Sequence, residues 1–240
     1  MRIGKLALAI VAFVALAGCG GEEPPVSLGN EVLIEAPAER GQAQVVHLRG
    51  TERGSGMVGV VLAHMLNSSE TAWSPLVTNL VGRGMHVLTF NFRGHGLSTG
   101  ERNPALADLD LAAAVGRLRS LGATKIFVIG ASMGGTAAVV VAASEELEGV
   151  IAISAPLEIA GLRADEAAGR LNEPSLFIAG EKEEASYVDG ARALALAAPD
   201  PKRLELIRGA SAHGTDLLIE QTASARVSKA ILDFLSEYGG

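Results

Sequence analysis

A five-residue segment near the middle of the chain has the residue types that nucleophilic catalysis by a serine requires. It reads Gly130-Ala131-Ser132-Met133-Gly134 and fits the pattern G-x-S-x-G. An apolar run that predicts a strand, Lys125 to Ile129, ends directly before it, and an Ala/Val-rich run that predicts a helix follows. A sharp turn between such elements exposes the serine hydroxyl, and it needs the glycines because side chains there would collide with the neighbouring strand and helix. The alternative interpretation is a Gly-Ser turn that caps a helix, since serine is a favoured N-cap residue.

A base must accompany this serine, because a serine hydroxyl is a poor nucleophile until its proton is removed. Histidine can remove that proton near neutral pH. His213, in the segment Ser211-Ala212-His213-Gly214, follows the last predicted strand and precedes the last predicted helix. The alternative is an ordinary histidine in a surface loop, but the chain order of serine, acid and histidine favours a catalytic base.

Short apolar runs alternate with helical stretches and would position these residues. The central runs are almost entirely Val, Ile, Leu and Ala, which is typical of strands buried on both faces in a parallel sheet. The predicted strands are Glu31 to Ile34, Ala43 to Leu48, Met57 to Ala63, Met85 to Asn91, Lys125 to Ile129, Gly149 to Ile153, Ser175 to Ala179 and Arg203 to Ile207. The predicted helices lie near Ala72 to Arg83, Ala105 to Leu121, Gly134 to Glu145, Tyr187 to Ala198 and Thr215 to Tyr238. This alternation predicts an α/β fold with a mostly parallel central sheet of about eight strands flanked by helices, and with an antiparallel start.

The connection between the sixth and seventh predicted strands is short. The segment available between these strands is Leu157 to Pro174, which can hold one short helix over Glu158 to Ala168. We therefore expect no sizeable cap domain and an open site.

Further motifs resemble the α/β-hydrolase superfamily from about Val45 to the end of the chain. Val60-Val61-Leu62-Ala63-His64 resembles the family's apolar strand that ends in a His-Gly oxyanion turn. Arg83-Gly84-Met85-His86-Val87 and Asn91-Phe92-Arg93-Gly94-His95-Gly96-Leu97-Ser98 resemble its next strand and its Arg-Gly-His-Gly-x-Ser loop. The resemblance, which is to serine esterases and lipases, implies an α/β-hydrolase fold and acyl transfer to water through an acyl-enzyme on Ser132.

The same resemblance implies that the backbone N–H groups of Leu66 and Met133 form the oxyanion hole. The chain departs from the family at Met65, where glycine is usual. Backbone donors tolerate a change of side chain, but we expect Met65 to alter the turn or narrow the pocket.

The acid of the triad is the second departure. Gly180-Glu181-Lys182-Glu183 aligns with a family Gly-x-x-Asp pattern, so Glu183 stands where aspartate is commoner. Glutamate can hold the imidazole tautomer as aspartate does, but it is longer by one methylene. Glu184 is the principal alternative acid, Glu181 and Asp189 are weaker ones, and all could be solvated loop charges.

The remaining histidines and the missing metal and dinucleotide motifs narrow the range of possible chemistry. We expect His64 and His95 to brace loops beside the site, and His47 and His86, in predicted strands, to be structural. The sequence has no H-E-x-x-H motif and no Cys/His cluster, which predicts no metal. No G-x-G-x-x-G opens a helix after the first strand, which argues against a dinucleotide. We predict no cofactor.

Composition excludes other classes of function. The 240 residues suffice for one sizeable core, and a hydrophobic content of 48% predicts a folded globule. The formal net charge of −7 makes nucleic acid an unexpected partner, because an acidic surface does not attract phosphate backbones. A single cysteine, Cys19, can form neither an internal disulfide nor a cysteine-based zinc site.

The N-terminus is typical of an exported protein. Arg2 and Lys5 precede an apolar run, Leu6 to Leu16, which is about half the ~20 residues a spanning helix needs. Leu16-Ala17-Gly18-Cys19 resembles the bacterial lipobox, which implies cleavage before Cys19 and acylation of that cysteine; the alternative is an ordinary cleaved signal. We predict a lipoprotein signal peptide over residues 1–18, an acylated cysteine and flexible tether over 19–30, and the hydrolase domain over 31–240. The predicted location is a membrane of the bacterial cell envelope, on its periplasmic or extracellular face.

These observations predict hydrolysis of a small carboxylic ester or other acyl substrate through a Ser132-His213-Glu183 triad. The alternatives are a thioesterase or peptidase that uses the same triad, or a catalytically inactive scaffold that serves as an envelope binding protein. The fold and the triad are shared by all these enzymes, so the sequence does not choose the substrate.

Overall fold

One eight-stranded sheet organises residues 29–240, the part of the chain that the computed structural model describes. Its strands are β1 (Asn30–Pro37), β2 (Val45–Arg53), β3 (Val58–Ala63), β4 (His86–Phe90), β5 (Lys125–Ala131), β6 (Gly149–Ile153), β9 (Ser175–Gly180) and β10 (Lys202–Ile207). Two short strands, β7 (Glu158–Ile159) and β8 (Leu162–Arg163), form a separate hairpin.

The sheet has the order β1-β2-β4-β3-β5-β6-β9-β10. The pairs β1-β2 and β2-β4 are antiparallel, and all pairs from β4 to β10 are parallel. This confirms the predicted α/β fold with a mostly parallel sheet and an antiparallel start. β2 runs five residues beyond its predicted end at Leu48, because Gly50 to Arg53 pair with β4, a contact between distant residues that local alternation does not reveal.

Helices cover both faces of the sheet. They are α1 (Ser74–Gly82), α2 (Ala107–Ser120), α3 (Met133–Ala142), α4 (Ala164–Ala168), α5 (Ala185–Ala197) and α6 (Ser224–Gly239). α2, α3, α4 and α5 pack on one face, and α1 and α6 pack on the other. The small residues of α3 are buried almost throughout, which lets this helix lie directly against β5 and β6.

The segment between β6 and β9 differs in part from its prediction. The predicted helix over Glu158 to Ala168 is wrong over its first half, where the chain forms the β7-β8 hairpin; only α4 is helical. The two turn residues, Ala160 and Gly161, both have positive φ, at 50° and 89°, as in the two-residue hairpin turns that match the strand twist. The segment contains no cap domain, in agreement with the prediction.

The last predicted helix is also interrupted. A 3-10 segment, Gly214–Leu218, comes first, and α6 begins only at Ser224. The Glu220 carboxylate in the intervening turn accepts hydrogen bonds from the backbone N–H groups of Ser211 and Ala212. Residues between the two helical segments therefore secure the loop that carries His213 instead of continuing the helix.

The two edges of the sheet differ in what they carry. The carboxyl ends of the parallel strands meet at one edge, where open α/β sheets place their sites. The described chain begins at the opposite edge. Asn30, the first residue of β1, pairs with Glu52 near the end of β2. Arg53, the residue after Glu52, pairs with Val87 near the start of β4. Among residues 29–240, no helix is long and apolar enough to cross a membrane.

Candidate active site

Ser132 occupies a strained turn between β5 and α3. Its backbone has φ 50° and ψ −118°, a conformation that L-residues rarely adopt. A Cβ atom at Gly130 would lie 2.0 Å from the Gly134 carbonyl oxygen, and one at Gly134 would lie 2.2 Å from that of Ala63. Both positions therefore need glycine for the steric reason predicted from the sequence.

His213 and Glu183 meet at the same edge of the sheet. The Nδ1 atom of His213 lies 2.5 Å from Oε1 of Glu183. The Glu183 side chain is almost completely buried, whereas that of His213 is about one-third exposed, at 32%. A carboxylate on Nδ1 fixes the imidazole tautomer and leaves Nε2 to exchange a proton with another group.

The alternative acids lie elsewhere. Glu184 is exposed at the start of α5, where it accepts a hydrogen bond from the Ser186 hydroxyl. Glu181 accepts one from the Gly209 N–H, and Asp189 pairs with Arg192. Of the four candidates, Glu183 is the one in contact with His213.

Ser132 lies beside this pair, but it is not yet bonded to it. The Ser132 N–H donates to the Ile153 carbonyl at the end of β6, 2.8 Å away. Gly214, which follows His213, lies against Ala131: a Cβ atom there would be 3.5 Å from the Ala131 Cβ. Within residues 29–240 no hydrogen bond joins the Ser132 hydroxyl to His213. Such bonds commonly tighten only when substrate is bound.

Ser154, which sequence analysis missed, connects several of these elements. Its hydroxyl donates to Oε2 of Glu183, 2.8 Å away, and accepts from the Gly214 N–H, 3.0 Å away. The Gly180 N–H donates to the same Glu183 oxygen at 3.1 Å. A polar residue directly after an apolar strand, at the edge where Ser132 also lies, was a signal that could have indicated it.

Tyr187 is a second residue that sequence analysis missed. It lies in the first turn of α5, and its ring centroid is 4.2 Å from that of His213, with the rings inclined by 46°. The phenol ring therefore packs against the imidazole. No sequence pattern marks this contact, because the helix that carries Tyr187 is brought to His213 by the fold.

The turn after β3 is held by His64. Its Nδ1 atom lies 2.6 Å from the Met65 carbonyl oxygen, and its Nε2 atom accepts from the Phe92 N–H at 3.1 Å. These partners assign a neutral ring with the proton on Nδ1. Burial lowers the pKa of His64 from its ordinary value of 6.5 to about 4, so the ring stays neutral near pH 7.

This arrangement orients the predicted oxyanion donors. A carbonyl and the following N–H point in opposite directions in a trans peptide, so the Leu66 N–H points away from the Met65 oxygen that His64 holds. Met133 is the first residue of α3, where N–H groups lack partners within the helix. Among residues 29–240 neither N–H donates to a protein acceptor. Both donors are thus available to an oxyanion.

Met65 does not simply fill the place of a glycine. Its side chain packs against Gly214, where a Cβ atom would lie 2.3 Å from the methionine sulfur. Gly214 has φ 59°, so it needs glycine for its backbone conformation as well as for this contact. Met65 therefore supports the loop that carries His213.

The loop after β4 braces the same turn, as predicted for His95. The Nε2 atom of His95 lies 3.1 Å from the Leu66 carbonyl oxygen, and its Nδ1 atom lies 3.0 Å from that of Arg93. Arg93 is itself fixed by a buried ion pair in which its Nη2 donates to Asp110 on α2 at 2.6 Å. His86 pairs with Glu52, within the sheet, which fits its predicted structural role.

A cavity of about 430 Å³ opens beside the loop that follows β4. Arg49, Ser69, Glu70, Asn91 and Leu97 contribute to its wall, and Leu97 is largely exposed. Its lining includes neither Ser132 nor His213.

Within the described residues no group of three or more His, Cys, Asp or Glu side chains could hold a metal ion. Cys19, the predicted lipidation site, lies outside the described residues.

The chain is similar to a known family in sequence and to known proteins in structure. A family described as "Serine aminopeptidase, S33" matches residues 58–162, from β3 to the β7-β8 hairpin. The Pyrococcus furiosus esterase Pf2001 is similar in structure with a TM-score of 0.75 at 20% identity, over 88% of this chain and 94% of that one. The chain has the α/β-hydrolase fold. No curated protein sequence matches it at a significant level.

Other structures with this fold have names that describe different activities. A Paleococcus ferrophilus monoacylglycerol lipase gives a TM-score of 0.71 at 19% identity, over 80% of this chain and 99% of that one. A Bacillus anthracis bromoperoxidase gives 0.70 at 17% identity, over 85% and 100%. The family match includes Leu66, Ser132 and Met133 but ends before Glu183 and His213. The roles of these site residues therefore remain predictions.

Gly134→Ala tests the close approach of α3 to the end of β3. Its new Cβ would collide with backbone, which cannot move as a side chain can, so we expect unfolding free energy to fall by about 3 kcal/mol. Gly116→Ala is the matched control, because its Cβ meets no atom within 4 Å on an exposed face of α2. It should stabilise the protein by ~0.5 to 1 kcal/mol. Urea unfolding measures both, and equal effects would contradict the steric argument.

His64 predicts a dependence of stability on pH. Its pKa is lower in the folded chain than in the unfolded chain, so the unfolded chain takes up the proton first as pH falls. The stability is fully present above pH 6.5 and is lost as pH falls towards about 4, by roughly 3 kcal/mol in total. His64→Gln, which cannot titrate, should reduce this loss in urea unfolding measured at pH 7 and pH 4.5. Equal losses in the wild type and in His64→Gln would contradict the assignment.

Proposed function

We propose that the protein is a serine hydrolase that cleaves carboxylic esters through Ser132, His213 and Glu183. The contact between His213 Nδ1 and Glu183 Oε1, at the sheet edge that also holds Ser132 in its strained turn, carries this proposal. The available N–H groups of Leu66 and Met133 beside that turn support it, because acyl transfer needs donors for the developing oxyanion.

The residues would act in a two-step acyl transfer. His213 Nε2 takes the proton of the Ser132 hydroxyl while the oxygen attacks the ester carbonyl carbon. The resulting oxyanion accepts hydrogen bonds from the Leu66 and Met133 N–H groups. Collapse breaks the bond to the alcohol, which leaves with the proton from His213. Water then attacks the acyl-enzyme with the same assistance and releases the acid and the free serine. Glu183 remains ionised and stabilises the imidazolium in both steps.

Two observations favour esters among the acyl substrates. The segment between β6 and β9 places only a hairpin and the short helix α4 near the site, so the site is open to small substrates. Structures that share the fold include a named esterase and a named monoacylglycerol lipase. Peptide hydrolysis is the second candidate, because the family that matches residues 58–162 is described as serine aminopeptidase.

An active-site probe tests the nucleophile. We expect a fluorophosphonate to form one adduct on the purified protein, located on Ser132 by peptide mass, and to form none on Ser132→Ala. His213→Gln should lower kcat for p-nitrophenyl acetate by a factor on the order of 10⁵, and Glu183→Gln by about 10² to 10⁴. Glu184→Gln, a control one residue away, should stay within about twofold.

The outcomes separate the candidates. A folded protein that forms no adduct would contradict serine hydrolysis and favour a binding scaffold. If Glu184→Gln, and not Glu183→Gln, lowered kcat, the assigned acid would be wrong. Turnover of aminoacyl p-nitroanilides above that of esters from acetate to octanoate would favour a peptidase, and turnover of acyl thioesters above both would favour a thioesterase.

We further propose that acylation of Cys19 anchors the protein to a membrane of the bacterial cell envelope. The lipobox-like segment Leu16 to Cys19 supports this. The described chain enters the sheet at Asn30, at the edge opposite the one that carries Ser132. An anchor on that side would leave the catalytic edge open to substrates on the far side of the domain.

Metabolic labelling tests the anchor. With an alkyne fatty acid in a bacterial host, we expect the wild type to be labelled and recovered with membranes. Cys19→Ser should lose the label and the membrane association, because no other cysteine is present to accept the lipid. Unlabelled wild-type protein would contradict the lipobox and indicate an ordinary signal peptide.

A further inference from the structure

Ser154 is fully buried at the end of β6, and it makes three hydrogen bonds to parts of the chain that are distant in sequence. Its backbone N–H donates to Ile178 in β9 at 2.7 Å, and its hydroxyl donates to Glu183 at 2.8 Å. The same hydroxyl oxygen accepts from the N–H of Gly214, the residue after His213, at 3.0 Å. One side chain therefore bonds both the predicted acid and the loop that carries the predicted base.

The direction of these bonds is set by the available donors. The Gly214 N–H can only donate, and an ionised carboxylate can only accept. The hydroxyl must therefore accept from Gly214 and donate to Glu183, so the three groups form a chain of bonds that point the same way. This use satisfies the buried hydroxyl and gives Glu183 a donor that does not compete with His213.

Glu183 needs such a donor more than an aspartate would. Its side chain has one more rotatable bond, and ordering a glutamate side chain costs up to about 2 kcal/mol of conformational entropy. Ser154 and the Gly180 N–H both hold Oε2, and this leaves Oε1 directed at His213 Nδ1. The contact that defines the acid thus depends on what holds its other oxygen.

The backbone of Ser154 is strained, as that of Ser132 is. Its φ of 50° lies in the left-handed region, where non-glycine residues cost of order 1 to 3 kcal/mol. Glycine would relieve this strain but would supply no hydroxyl. The presence of serine at this position is accounted for by what its hydroxyl bonds.

We propose that Ser154 is a positioning residue that fixes the Glu183 carboxylate against His213 and holds the histidine loop in register with it. This inference rests on the proposed serine hydrolase activity. Ser154 touches no reacting atom; it acts through the acid and through Gly214. Without its hydroxyl, Glu183 loses one of the two donors to Oε2, and the Gly214 N–H is left without its acceptor.

Two variants at this position separate the hydroxyl from the backbone. Ser154→Ala removes the hydroxyl and keeps the strained backbone, whereas Ser154→Gly removes the hydroxyl and relieves the strain. We expect both to lower kcat for p-nitrophenyl acetate by about 10- to 100-fold with KM within about threefold, and to slow fluorophosphonate labelling of Ser132 by a similar factor. Ser144→Ala is the control, because among residues 29–240 that hydroxyl bonds only the carbonyls of Val140 and Val141, at the end of α3. It should leave both rates unchanged.

A double-mutant cycle with Glu183 gives a readout that a purely structural role would not move. Because Ser154 acts in part through the acid, Ser154→Ala should lower kcat by a clearly smaller factor in a Glu183→Gln background than in the wild type. Wild-type kcat in Ser154→Ala, recovery of kcat in Ser154→Gly, or full additivity with Glu183→Gln would each overturn the proposal. Failure of the proposed function is distinguished from these results, because then the wild type itself would carry no label on Ser132.

Discussion

The end of β6 is the point on which the arrangement of the site depends. Ile153 accepts the N–H of Ser132, and Ser154 bonds both Glu183 and Gly214. The loops that carry the predicted nucleophile, acid and base follow three different strands, β5, β9 and β10, and are far apart in the sequence. Ile153, the last residue of β6, and Ser154, which follows it, hold all three loops through hydrogen bonds of 2.8 to 3.0 Å. β6 can do this because it lies between β5 and β9 in a sheet whose carboxyl ends share one edge.

The other half of the site depends on a rigid neutral imidazole. His64 directs the Met65 carbonyl to one side, and His95 faces the carbonyl of Leu66, so the peptide between them is held from two directions. Burial keeps the pKa of His64 near 4, which means that the proton on Nδ1 is a fixed donor and not an exchanging one near pH 7. A preorganised peptide needs no reorganisation when negative charge develops beside it. The two histidines thus act on the predicted oxyanion donors and not on the proton transfer.

Much of the fold could be predicted because the signals were local. Mainly apolar runs located β3, β4, β5, β6 and β9, and the order of strand, G-x-S-x-G and helix located the strained serine. Elements that depend on a particular pairing or on an unusual backbone conformation were predicted less well. The extension of β2 follows from pairing with β4, the hairpin at Ala160 follows from positive φ at a non-glycine residue, and the break before α6 follows from the bonds of Glu220 to Ser211 and Ala212. Ser154 and Tyr187 were missed because the importance of each depends on its contact with a residue about 30 positions away in the sequence.

Two strained backbone conformations in this site are each stabilised by a hydrogen bond to a neighbouring strand. Ser132 and Ser154 both have φ of 50° at the ends of neighbouring strands, a combined cost of order 2 to 6 kcal/mol. The backbone N–H of each still donates to the adjacent strand, to Ile153 and to Ile178 respectively, at 2.8 and 2.7 Å. The sheet therefore supplies the hydrogen bonds that keep two unfavourable backbone conformations in place, at the edge where the parallel strands end. The chemistry of the site is in this sense a consequence of where the parallel strands end.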